Sequence, residues 1–227
     1  MRHFIQAVVV ALFLAPLHAQ VAIDSTGTRA TKTVRTLKDI RNAHVVRQQW
    51  DMTCGAAALS TLLTYDFKDN TPESAVVVWI LRRTSPVKVR ALGGFSLLDL
   101  KHFVQARGYG AEGFSEMTLE ELADLKIPAI VPIHSKGVDH FVIVRGVFGD
   151  RVVLADPAFG NMTMKTDQFQ SVWKQGIVFI VRPPDPRMLQ SSEQAKSLLS
   201  GVVTPEGATV YRALQQTAPK TPLPAGP

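Results

Sequence analysis

A chain of 227 residues with one cysteine is short of disulfides before anything else is known about it. Cys54 has no intramolecular partner, so a disulfide framework, a two-cysteine redox motif and a thiolate-rich zinc site are all excluded. Aromatic residues make up only 7% of the chain, and the Lys and Arg residues are scattered rather than clustered among them. That pattern argues against nucleic-acid binding. The net charge of +6 is compatible with attraction to acidic partners or membrane surfaces. After residue 19 no segment is long and apolar enough for a transmembrane helix. The histidines are not at ligand spacing and there is no second cysteine, so no metal is expected, and no cofactor is called for.

What is present begins with residues 1–19. Arg2 and His3 form a basic start, Ile5 to Leu14 is an apolar run, and Ala15-Pro16-Leu17-His18-Ala19 breaks it and ends on a small residue. This is the pattern of a Sec signal peptide cut between Ala19 and Gln20, with an uncleaved anchor as the lesser alternative because the run is short for a bilayer. The residue after the expected cut is Gln20 and not a cysteine, which excludes lipid attachment there. The expected destination is a bacterial periplasm. A free thiol in an oxidising compartment is a hazard unless it is buried or used.

The rest of the chain divides into an N-terminal arm (20–44), a globular domain (45–182) and a C-terminal extension (183–227). The arm is polar, basic and β-branched, and reads as extended or loosely ordered. Helices are expected over 54–65, from Thr71-Pro72 to about Arg83, and over 97–107 behind the cap Ser96. Residues 84–95, with Gly93-Gly94, read as a loop. Tyr109 to Phe114 is a candidate strand, and Thr118-x-x-Glu121 a capping box for a short helix. Strands are expected over 129–134, 141–147, 151–155 and 177–182. Helices first and strands second predict an α+β domain with an N-terminal helical half and a C-terminal antiparallel sheet. After Pro183-Pro184, residues 187–199 suit a helix, and the proline-rich tail from Ala218 suits disorder.

The run Cys54 to Tyr65 (CGAAALSTLLTY) places the thiol in the first turn of a buried helix. The unpaired N–H groups there favour thiolate over thiol. A lone cysteine in an Ala-rich helix is more often simply a small buried residue. A nucleophile also needs a base, a group to orient the base, and donors for an oxyanion. His140 opens the strand FVIVRGV, and Asp156 ends the next strand, before Pro157. A three-residue loop, Phe148-Gly149-Asp150, would pair Val147 with Arg151 and put Val142 opposite Asp156. His140 and Asp156 would then share a face, one diagonal step apart. A two-residue loop would put them on opposite faces. His134, at the end of a strand, is the rival base; His44 in the arm and His102 within a helix are weaker. Asp139 should point away from His140, and Asp150 lies far off in the turn. Gln48, six residues before Cys54, could donate to the oxyanion beside the Cys54 N–H, with Gln49 as its neighbour rival.

Gln48, Cys54-Gly55-Ala56, His140-Phe141 and Asp156-Pro157, in this order and spacing, resemble the C39 family of papain-like cysteine peptidases. The resemblance covers about residues 45–182. It implies a papain-like fold, with Cys54 as nucleophile, His140 as base and acid, Asp156 orienting the histidine and Gln48 completing the oxyanion hole. The best-known members are cytosolic domains of ABC transporters that cut leader peptides after a double glycine. With its signal peptide and no ATPase, this chain looks more like the stand-alone exported members, including those serving functional-amyloid export in pseudomonads. Outer-membrane secretion or amyloid-system proteins would then be partners of an endopeptidase acting on a polypeptide. Two other readings stay open: a C39-like module that holds a substrate without cutting it, and an amidase acting on cell-wall peptides. Gly93-Gly94 could be a self-cleavage site, though loop glycines before a helix are the simpler reading.

Overall fold

A computed structural model of the chain describes residues 20–23, 30–33, 36–125, 127–135 and 137–188. The expected signal peptide, most of the expected C-terminal helix and the proline-rich tail lie outside the described residues. The chain separates into two compact units, residues 1–40 and 41–227.

The first unit contains a hairpin in which β1 (Gln20–Ile23) pairs antiparallel with β2 (Ala30–Thr33). The described parts of the arm before residue 36 are thus two extended segments paired with each other. A short helix, α1 (Leu37–Asn42), straddles the division between the units.

In the second unit, α2 (Cys54–Thr61) continues into a π-helical turn over Leu62–Asp66. All eight residues of α2 are buried. Three consecutive alanines, Ala56 to Ala58, let the helix be surrounded on every side without long side chains to accommodate. Leu59, Leu62 and Leu63 supply the apolar bulk, each contributing roughly 1.5–3 kcal/mol by leaving water. Next comes α3 (Glu73–Leu81), with Pro72 rather than Thr71 at the N-cap, so the helix starts one residue later than expected. The expected loop 84–95 contains a helix, α4 (Pro86–Ala91). Ser85 caps it and Pro86 opens it, a start signal the sequence does display. A capping box, Ser96 with Asp99, begins α5 (Leu97–Gln105), and another, Thr118 with Glu121, begins α6 (Leu119–Asp124).

Six strands form one antiparallel sheet: β3 (Gly110–Phe114), β4 (Ala129–Ser135), β5 (Val138–Phe148), β6 (Arg151–Asp156), β7 (Gly160–Lys165) and β8 (Val178–Arg182). Their spatial order is β3-β8-β4-β5-β6-β7. Strand β7 and the helix after it, α7 (Thr166–Val172), were not expected from sequence.

Strand residues alternate between two apolar cores. Ile130, Ile143, Ala155, Phe179 and Val181 belong to the core built with α2, α3 and α5. Val131, Val142, Val144, Leu154, Val178 and Ile180 belong to the other, with Leu122 of α6 and Phe169 of α7. Both faces of the central strands are covered, which is why they read as continuous apolar runs. The α+β class holds, with a helical first half and an antiparallel sheet behind it. Among the described residues no helix is long and apolar enough to cross a membrane.

Candidate active site

Helix α2 meets strand β5 where Cys54 and His140 lie. A Cβ on Gly55 would stand 3.2 Å from Phe141 Cδ2. The absence of a side chain at 55 is thus what lets the start of α2 approach β5 so closely. Cys54 is buried, as the first residue of the helix. Thr53, at the N-cap, makes no side-chain cap on α2. Its hydroxyl donates instead to the Trp50 carbonyl at 2.9 Å and to Glu73 Oε1 at 2.5 Å.

His140 Nε2 is 2.8 Å from Asp156 Oδ1, and both side chains are largely buried. The imidazole is also hydrogen-bonded to Cys54. Its second nitrogen, Nδ1, is the one left for the sulfur. Burial alone would lower the imidazole pKa. The hydrogen bonds to Asp156 and Cys54, and the negative charges of both, outweigh that and push it up to about 9.

Asp156 serves the turn and the histidine at once. Its Oδ1 accepts from the backbone N–H groups of Ala158 at 2.7 Å and Phe159 at 3.0 Å as well as from His140. Two backbone donors fix the carboxylate independently of the imidazole. The segment before Cys54 clamps this loop from outside. Gln48 N–H donates to the Pro157 carbonyl at 3.0 Å, while Arg41 and Arg47 donate to the carbonyls of Phe159 and Ala158. Asn161 Nδ2 donates to the Ala43 carbonyl at 2.6 Å.

The hairpin loop is shorter than expected. Phe148 pairs with Arg151, leaving only Gly149 and Asp150 in the turn. With a regular ladder, that loop would have separated His140 from Asp156. The register instead shifts by one between Val144 and Gly146, so that Val144 faces Leu154 and Ile143 faces Ala155. One further step puts Val142 opposite Asp156. A β-bulge at Arg145 thus supplies the shift that the sequence reading assigned to the loop.

Gln48 is half-buried, and its side-chain Nε2 donates to the Trp50 carbonyl at 3.1 Å, in the turn leading to Cys54. Gln49 donates its backbone N–H to Glu73. The other histidines lie elsewhere. His134 is exposed, in a cross-strand cluster with Asp139 (2.8 Å), which also binds Lys174 (2.7 Å). His102 is exposed on α5. His44 takes a left-handed backbone, φ 55°, with its ring 5.4 Å from Tyr65. Gly93 and Gly94 both have positive φ and close α4 with bonds to Arg90 and Val89, so they serve the turn. Among the described residues no group of three or more His, Cys, Asp or Glu could hold a metal ion.

Sequence reasoning missed Glu73. Its buried carboxylate accepts from both Gln49 N–H and Thr53 Oγ1, tying down the loop between Gln48 and Cys54. Burial raises its pKa, and the bonds from Thr53 and Gln49 oppose the rise. The only signal was an acid at the start of an otherwise apolar helix, which reads as ordinary helix-dipole chemistry.

Residues 42–185 match the model of the Peptidase C39 family. The chain is 38% identical over 150 residues to the probable functional amyloid protease FapD of Pseudomonas aeruginosa. It is 35% identical over 150 residues to the protein of the same name in Pseudomonas fluorescens. Both alignments span 66% of this chain and 65% of the relative. Among solved structures, the peptidase domain of Streptococcus ComA, a bifunctional ABC transporter involved in quorum sensing, superposes with a TM-score of 0.51 at 23% identity. That match covers 61% of this chain and 97% of the domain. It shows the shared fold.

Proposed function

The chain belongs to the peptidase C39 family, and from that membership we propose that it is an exported cysteine endopeptidase that processes a protein substrate in secretion or functional-amyloid biogenesis. The observation that carries this reading is the continuous path from Cys54 through His140 to Asp156.

In this reading the Cys54 thiolate attacks the scissile carbonyl carbon and forms a C–S bond. The backbone N–H of Cys54 and the Gln48 side-chain amide donate to the oxyanion. His140, protonated by its pairing with Asp156, gives its proton to the leaving amine as the C–N bond breaks. Water then attacks the thioester, His140 takes its proton, and the thiolate is released. Asp156 holds the imidazole throughout.

Export is supported by the Arg2–Ala19 pattern and is consistent with a single cysteine that cannot be oxidised to an internal disulfide. The amyloid context is supported by the name of the two pseudomonad relatives. Residues 20–227, purified with and without Cys54→Ala, should be incubated with functional-amyloid subunits as candidate polypeptide substrates, and the products read by mass. Cleavage by the wild type and none by the variant supports the reading. Binding without cleavage would instead make the chain a holding module, and cleavage of muropeptides alone would make it a cell-wall amidase.

A further inference from the structure

The strand that carries His140 is apolar on both faces: Val142 and Val144 enter one core and Ile143 the other. Alternation of polar and apolar residues normally specifies register, because a slip by one residue would expose the apolar set. Here a slip exchanges valines for isoleucine between two apolar cores, so the pattern discriminates weakly. Yet a slip by one residue would move His140 off Asp156. Something other than hydrophobic alternation has to choose the register.

The extra residue in the ladder is Arg145, and it is buried. Its Nη2 donates to the His44 carbonyl at 2.6 Å and lies 3.7 Å from Asp66 Oδ2. Asp66 is the last residue of the π-helical turn that follows α2, and its carboxylate is buried too. The backbone irregularity of the helix and that of the strand thus meet at one ion pair. A regular ladder would bring Arg145 opposite Leu154 and carry the guanidinium away from both anchors, leaving two buried charges to be separated in an apolar surrounding.

We propose that Arg145 is a positioning residue: anchored by Asp66 and the His44 carbonyl, it keeps β5 bulged and thereby holds His140 in register with Asp156. This rests on the catalytic reading above. The register itself, however, is a property of the His140–Asp156 pair that can be read without any substrate.

Geometry sets an unusual test. Replacing Arg145 leaves the extra residue in the strand without its anchor. Deleting it removes the extra residue, and Val144 still faces Leu154 with the same two-residue turn. Both variants also carry Asp66→Asn, so that no lone carboxylate is left buried, and the wild type, with its Arg145–Asp66 pair intact, is the reference. The readout is the imidazole titration of His140 by NMR, with the rate of Cys54 alkylation beside it.

With Arg145→Val, the His140 titration should fall from near 9 toward its ordinary 6.5, and alkylation at neutral pH should slow at least tenfold. With Arg145 deleted, both should stay at the reference value. A folded Arg145→Val protein that keeps the high titration overturns the proposal. So does a deletion variant that loses it or fails to fold. If Arg145→Val does not fold, the deletion variant decides alone. Failure of the catalytic reading would look different: no peptide cleavage by wild type, with the titration pattern across the variants unchanged.

Discussion

Thr53 donates its hydroxyl to Glu73 at 2.5 Å across a separation of 20 residues, and Gln49 donates its backbone N–H to the same carboxylate. The loop carrying Gln48 toward Cys54 is therefore held by a single buried acid at the start of α3. Replacing Glu73 with Ala leaves the Gln49 N–H without its acceptor and Thr53 with the Trp50 carbonyl alone. The expected cost is about 1–3 kcal/mol of stability, measured by denaturant unfolding. Peptide cleavage should drop at least tenfold in the same variant while it remains folded. Unchanged cleavage would show that this anchor does not matter to the site.

The pH dependence follows from His140. Its folded pKa of about 9 lies above its ordinary value of 6.5. The stabilisation from its pairing is thus complete below about pH 6.5 and is lost as pH rises through 9. Cleavage should fall on the same alkaline limb, where the imidazolium loses its proton. In Asp156→Asn that limb should move down toward 6.5 and the rate should drop roughly 10²-fold. A pH–rate profile on both proteins checks this, and an alkaline limb indifferent to Asp156 would contradict the pairing.

His134 and His140 are cross-strand neighbours in position and opposite in setting. His140 should be indispensable: His140→Ala abolishes cleavage and slows alkylation of Cys54. His134 sits exposed beside Asp139, and an exposed ion pair contributes less than about 1 kcal/mol. His134→Ala should keep the rate within about twofold of wild type and leave the melting temperature nearly unchanged. The reverse result would place the base on β4 instead of β5.

Gly160 closes the turn behind Asp156 with φ 86°, and a Cβ there would collide with the Arg41 carbonyl oxygen. Gly160→Ala should cost about 1–3 kcal/mol, seen as a lowered unfolding midpoint. Because the collision pushes on the segment that clamps the Asp156 loop, the variant should also lose some of the high His140 titration. Wild-type stability in this variant would mean the turn relaxes freely.

Much of this architecture is local in origin and so is visible in the chain itself. Ser96 with Asp99 and Thr118 with Glu121 declare their helices through side chains three residues apart. Cys54-Gly55 ahead of an alanine run declares a buried helix start. The order Gln48, Cys54, His140, Asp156 names the candidates for the chemistry. Ser85-Pro86 declared α4 as well, and was overridden by the glycines that follow it. Strand β7 was hidden because its residues, Gly160 to Lys165, carry little β-propensity and owe their conformation to pairing with β6.

Contacts between distant segments decided the rest. The turn at Gly149-Asp150 is one residue shorter than the sequence reading required, and the missing shift comes from Arg145, whose anchors lie at His44 and Asp66. Glu73 acts on residues 49 and 53 from another helix. By itself, the sequence determined which residue types were available for catalysis and where the side-chain-capped helices α5 and α6 begin. Tertiary structure alone chose the register that joins His140 to Asp156. Register on a strand apolar on both faces is not encoded in its own pattern, and the buried charge that selects it finds its partners far away along the chain.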